Sequence, residues 1–394
     1  METQFITLCK EGKLEELKEF LKNNPNINIS VYDEEAFRFA AENGHLEVLK
    51  FLLQQKPNID ISANNEQAFI LAAANGHLEV LKFLLQQKQD INISVNDEEA
   101  FRWAARYDHI EVLKFLLQRK PDINISAINE GAFRLAAENG HLEVLKFLLE
   151  QKQDINISAQ NEQAFRYASE NGHLSVLQFL LEIKKDINIS VENEYAFRWA
   201  VSNGHLEVLK FLLAIKPNIN ISVNNEEPFR YAALYSHLEV LKFLLQQKQN
   251  INISANNEQA FRWAALCGHL EVLKFLLQHK QDINISANNE QAFRNAALNG
   301  HLEVIKFLLD IKKDINISAN EEEAFRKAAE NNHLKVLEFL LKLKPNINLQ
   351  LLNIPIHKNN NQIIQIILKY QTINYKITNQ ENLKYIKKHY LITF

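Results

Sequence analysis

An all-α solenoid of helix-turn-helix units joined by short finger loops is the fold this chain encodes. The first ground is a phenylalanine that returns on a strict 32-residue period: Phe5, Phe37, Phe69, Phe101, Phe133, Phe165, Phe197, Phe229, Phe261, Phe293 and Phe325. The second is a His-Leu-Glu-Val stretch, or a close variant, that keeps the same beat from His45, His77, His109 and His141 to His333. A fixed period of this length marks a repeat architecture, because one unit cannot bury its apolar faces without neighbours. Ten full copies, numbered here from one (Phe37) to ten (Phe325), follow an abbreviated first unit.

Residues 65 to 88 serve as the type unit. Asn65 stands before Glu66-Gln67-Ala68-Phe69, where its side chain is expected to cap free N–H groups of a first helix. Phe69, Ala72, Ala73 and Gly76 fall at i, i+3, i+4 and i+7, one helix face, and the small alanines let neighbouring helices approach. Gly76 is expected to end the helix in the left-handed conformation; Asp108, Ser236 and Asn332 replace it in three copies. A second helix starts near His77 with a Leu78, Leu81, Leu84, Leu85 stripe, and Glu79 and Lys82 are spaced to pair on its wet side. Pro25, Pro57, Pro121, Pro217 and Pro345 share the position just after it and mark a stop. Asp90-Ile91-Asn92-Ile93-Ser94 is then expected to run extended into a turn before the next helix.

The ends depart from the pattern. In the first unit Glu16 and Glu19 occupy the places of Val48 and Phe51, as suits a face with no preceding neighbour. The expected organisation is an N-terminal capping unit at 1–30, ten tandem copies at 31–348, a degenerate C-terminal cap at 349–370 and a basic segment at 371–394. In that last segment Lys376, Lys384, Lys387 and Lys388 oppose only Glu381. It reads equally as a final cap or as a short contact segment.

The 394 residues are 46% hydrophobic and 23% charged, which suits a folded chain. A net charge of −4 disfavours nucleic acid or an anionic membrane as partner. Two distant cysteines, Cys9 and Cys267, make no disulfide framework and fit a reducing compartment. The N-terminus lacks a signal-peptide pattern, and no apolar run approaches the ~20 residues of a membrane span. A cytoplasmic monomer is therefore expected. The histidine ladder is read as structural, because equivalent positions on stacked helices lie ~8–10 Å apart and zinc needs ligands at about 2.0–2.1 Å. No phosphate loop or Ser/His/Asp set stands apart from the repeat, so no catalytic, cofactor or metal function is read.

The stretch Ala-Ala-x-x-Gly-His-Leu-Glu-Val-Leu-Lys-Phe-Leu-Leu at 72–85, with Asp90-Ile91-Asn92 after it, resembles an ankyrin repeat. The resemblance runs from about residue 3 to 348 in phase, with an echo to about 370. It implies an ankyrin-type solenoid that binds proteins along a concave face, without catalysis. An alternative it also implies is a delivered effector or adaptor of an intracellular microbe or virus, acting in a host cytosol and recruiting a second factor through its C-terminal segment. The chain departs from the family in its 32-residue unit and in replacing the Thr-Pro-Leu-His signature. Arg stands at the signature's His position in nine of ten copies, and Ile70 is the exception. A Glu four residues earlier, as in Glu98–Arg102, is expected to pair with it for ~0.3–0.5 kcal/mol.

Helical rotation from Phe69 points Gln67, Leu71 and Ala74 away from the core, with Asn75 beside them. These positions vary between copies while core positions hold. Read along the chain they supply Trp103, Arg106 and Tyr107, then Tyr167, Tyr195 and Trp199, then Tyr231, Leu234 and Tyr235, then Trp263 and Leu266, with Cys267 an ordinary surface residue among them. All three tryptophans share one repeat position. These eleven residues, the cysteine aside, are the candidate protein-binding site, since Trp, Tyr and Arg dominate interface energies. The competing reading is that the rings pack between adjacent first helices. Finger tips at Tyr32, Asn64, Ile128, Gln160 and Glu192 are expected to form the rim.

Overall fold

The structure, a computed structural model, describes residues 1–345 together with residues 363, 366 and 370; all of these lie in helices, turns or short connections, with no strand among them. The expected cap at 349–370 and basic segment at 371–394 lie outside the described residues, except that Ile363 is buried and the Tyr370 hydroxyl donates to Glu338 at 2.9 Å. The chain divides into two compact units, residues 1–196 with 210–217, and residues 197–209 with 218 onward.

In the first unit the first helices Glu2–Lys10, Val31–Glu42, Ala63–Ala74, Val95–Arg106, Ala127–Glu138 and Ala159–Glu170 lie side by side, each packed on the next. Second helices such as Leu46–Gln55, Leu78–Gln87 and Ile110–Arg119 back them. The second unit repeats the arrangement with Val223–Leu234, Ala255–Cys267, Ala287–Leu298 and Ala319–Glu330, each backed by its own second helix. The periodic phenylalanines are closed to solvent, as are Ala72, Ala73, Leu81 and their equivalents. Glu16 and Glu19 are exposed where Val48 is buried. Glu79 and Lys82 pair at 2.7 Å, exposed and hence weak. No described helix is long and apolar enough to cross a membrane.

The turn between the two helices works as the sequence indicates, and for an additional reason. Gly76 has φ 76°, and Asp108, Ser236 and Asn332 hold the same left-handed region in their copies. A Cβ on Gly76 would also lie 2.6 Å from Nδ1 of His109 in the next copy. That ring reaches back: His109 Nε2 meets the Ala74 carbonyl at 3.0 Å, His77 meets Glu42 at 2.9 Å and His237 meets Ser202 at 2.8 Å. The histidines are staples between copies. Burial pulls His109 and His301 below the usual imidazole pKa, which favours the neutral ring.

The finger differs from expectation. After the second helix the backbone makes two tight turns rather than an extended run, and Ile91 and Ile93 are buried beneath them. Three consecutive left-handed residues follow in every full copy, for example Asn64, Asn65 and Glu66 at φ 53°, 57° and 61°. Asn65 therefore does not cap the first helix, whose start carries no side-chain cap hydrogen bond. Left-handed backbone costs non-glycine residues about 1–2 kcal/mol each, less for Asn and Asp, so the triplet needs support.

Two side chains supply that support. The third residue of the triplet is a buried glutamate that holds the connection leading into the next copy: Glu66 accepts the Asn92 N–H at 3.2 Å, and Glu98 that of Asn124 at 3.1 Å. Arginine holds the other two. Arg134 donates through Nε to the Asn129 carbonyl and through Nη2 to that of Ile128, both at 2.7 Å. Copies one, three, five, seven, eight, nine and ten repeat the clamp. The expected Glu98–Arg102 hydrogen bond is thus absent, because the left-handed triplet turns Glu98 onto the connection before copy four while Arg102 turns back onto its own finger.

Candidate protein-binding face

The arginines do more than brace fingers. In copies six to eight the remaining guanidinium nitrogen straps one copy to the next: Nη1 of Arg230 and Arg262 bonds the amides of Gln259 and Gln291, and that of Arg198 meets Glu227 at 2.9 Å. Arg38, Arg134 and Arg294 reach Gln67, Gln163 and Glu323 in the same way. Burial is the leading influence on Arg230 and Arg262 and draws both below the usual arginine pKa. This role was missed from sequence because the partner lies 29 residues away, outside any helical spacing rule.

In the first unit the candidate residues form two clusters. Trp103 stacks on Tyr107 with ring centres 5.8 Å apart, and the Arg106 guanidinium lies 5.1 Å from the tryptophan ring. Trp103 Nε1 donates to Glu99 at 3.0 Å, which fixes the indole's tilt. Tyr107 remains 48% exposed. Further along, Tyr167 and Tyr195 meet at 6.1 Å, with the Arg166 guanidinium 4.7 Å from the Tyr195 ring. The Tyr195 hydroxyl donates to Glu170 at 2.6 Å. Burial, and then the Glu170 contact, push its phenol well above the usual tyrosine pKa.

A hollow of about 970 Å³ opens beside the first cluster, with Leu71, Ala74, Trp103 and Tyr107 among its walls and Glu42 and Glu99 on its edges. Ala74 is buried rather than presented to solvent, contrary to the rotation argument, whereas Gln67 and Leu71 are half-buried and Asn75 exposed.

In the second unit Tyr231 stacks on Trp263 at 5.6 Å and on Tyr235 at 6.2 Å, and Arg230 lies 5.8 Å from the Trp263 ring. Tyr235 is 52% exposed and Trp199 38%, while Leu234 and Leu266 are half-buried. Their carbonyls take the staples from His269 and His301. Ring-on-ring packing between adjacent first helices therefore occurs, as at Tyr231–Trp263, and the same rings keep edges in water. The finger tips Tyr32, Asn64, Ile128, Gln160 and Glu192 are all exposed. Cys267 is exposed, and burial raises its thiol pKa, which reduces its thiolate character without closing it to reagents. Among the described residues no group of three His, Cys, Asp or Glu could hold a metal ion.

Comparison with known proteins places these units. A family model described as ankyrin repeats (3 copies) matches residues 57–127, 101–193, 197–289, 261–351 and 293–381, and another described as ankyrin repeats (many copies) matches 5–53. Among solved structures, the crystal structure of the human ASB11 ankyrin repeat domain is similar at 21% identity, covering 54% of this chain and 97% of that one with a TM-score of 0.42. No curated protein matches the chain.

Proposed function

We propose that this chain, which belongs to the ankyrin-repeat family, is a non-catalytic scaffold that grips a partner protein on the solvent-facing side of its first helices. Ankyrin repeats indicate a protein–protein interaction domain. The proposed contact residues are Trp103, Arg106, Tyr107, Tyr167 and Tyr195 in the first unit, and Trp199, Tyr231, Leu234, Tyr235, Trp263 and Leu266 in the second. One observation carries the choice of face: large aromatic rings such as Tyr107, Trp199 and Tyr235 keep surface in water at varied repeat positions while the invariant phenylalanines of the same copies are closed. A stacked, half-buried ring is already ordered, so a partner covering its edge gains apolar burial at little entropic cost.

The test compares the full chain with a Trp199→Ala, Tyr231→Ala, Trp263→Ala variant in affinity capture, after circular dichroism of both. The variant should keep its helical signal and lose the captured protein. Unchanged capture, or collapse of the helical signal, would count against the face.

A further inference from the structure

The arginine strap that joins several copies to the next is missing between copies two and three, although the groups that would receive it are present. In copy seven Arg230 donates to the Asn224 and Asn225 carbonyls of its own finger and to Gln259 of the next copy, and lies against Trp263. The equivalent positions between copies two and three are Ile70, Asn64, Asn65, Glu99 and Trp103. The receiving groups are retained and the arginine is not. Among the described residues no side chain donates to the Asn64 and Asn65 carbonyls, and Glu99 is held by the Trp103 indole at 3.0 Å and the Asn96 amide at 2.7 Å, both neutral donors. All five residues line the 970 Å³ hollow, where Glu42 is a second carboxylate and the one histidine, His109, is biased toward neutrality; Arg106 lies against the Trp103 and Tyr107 rings and Arg38 is bonded to Gln67, so neither of these cations reaches the finger carbonyls or Glu99.

We infer that this hollow receives an arginine side chain from a segment of the partner protein, whose guanidinium meets the acceptors that Ile70 cannot serve. Two finger carbonyls, a carboxylate and an indole face form the set that the chain itself fills with arginine elsewhere. A guanidinium offers five donors in a planar fork and stacks on aromatic rings; an ammonium is a point charge that serves fewer of these acceptors at once. Apolar residues flanking the arginine would lie on Leu71 and Tyr107. The site names the chemistry of the partner and rests on the reading of the first-helix face as a protein-binding surface.

The test uses the full chain and a fluorescein-labelled, capped heptapeptide with central arginine flanked by alanine and leucine, followed by anisotropy. Its citrulline and lysine counterparts are run beside it. Arginine peptide should bind roughly tenfold or more tightly than citrulline peptide, the factor expected for a charge-assisted hydrogen bond, with lysine between them. Glu99→Gln should remove most of that preference. Ile70→Arg, which restores a residue nine other copies carry, should fold and abolish binding. The Trp199→Ala, Tyr231→Ala, Trp263→Ala variant should bind the peptide as wild type does, so failure of this site is separable from failure of the wider face. No binding, equal affinity for the three peptides, or wild-type binding by Ile70→Arg would overturn the inference.

Discussion

Replacing Arg262 by alanine removes a buried cation that holds one finger and one junction together. Its Nε and Nη2 donate to the Asn257 and Asn256 carbonyls at 2.7 Å, its Nη1 reaches Gln291 of the next copy, and the residue is only 8% exposed. Hydrogen bonds from a charged donor contribute about 1.5–3 kcal/mol each. The two finger carbonyls belong to exposed residues and regain water when the arginine is lost, so the lower end applies to them, and these two bonds alone set a loss of about 3 kcal/mol. In a repeat stack that loss belongs to copies eight and nine rather than to the whole chain. Native-state hydrogen exchange reads it directly. Amides at Glu258 and at the first turn of copy nine should exchange on the order of 100-fold faster, which is that energy as an equilibrium factor. Arg262→Lys should recover less than half, because one ammonium cannot fork two carbonyls. A loss under about 0.5 kcal/mol, or one spread evenly to copies one through four, would refute the clamp.

Ile70→Arg should do the opposite and raise stability by about 1–2 kcal/mol, measured as a higher denaturant midpoint at unchanged slope. Gly300→Ala places a Cβ 2.6 Å from the His333 ring at φ 77° and should cost about 2–3 kcal/mol through left-handed strain and a displaced staple; a neutral result in urea unfolding would contradict the staple. Burial lowers His109 and His301 in the folded state, so below the unfolded value near 6.5 the unfolded chain binds more protons. Their contribution is present above that pH and is lost as pH falls through the folded values; a midpoint that holds steady from pH 7.5 to 5 would exclude it. Cys9, buried and pushed up to about 12, should resist a thiol reagent at pH 8 until the chain unfolds, while exposed Cys267 reacts in the native state.

The helix pairs, their core and the turn were legible because each follows from a short-range rule: Phe69, Ala72 and Ala73 share a face, and Gly76 must adopt a positive φ. The fingers were not. Pairing Glu98 with Arg102 assumes that both lie on one right-handed helix, and the left-handed triplet Asn96, Asp97, Glu98 breaks that premise. Asn or Asp at 65, 97, 129 and 225 is consistent with such a turn but equally with a helix cap, so composition alone could not choose. The candidate face was half legible. Helical rotation brought Trp103, Tyr231 and Trp263 to solvent-facing positions, yet whether their rings stack on each other depends on side-chain directions across copies, which no spacing within one copy encodes. The vacancy at Ile70 stood in the sequence as an oddity, and its meaning needed the strap geometry of Arg230.

Side-chain oxidation footprinting of the chain bound to its captured partner tests the binding face most directly. Tyr107, Trp199 and Tyr235, exposed in the free chain, should be protected on binding, while Ile183 and Ile215 at the ends of second helices should oxidise as before. Protection of those isoleucines with the three aromatic rings still reactive would place the partner on the opposite side and contradict the proposal.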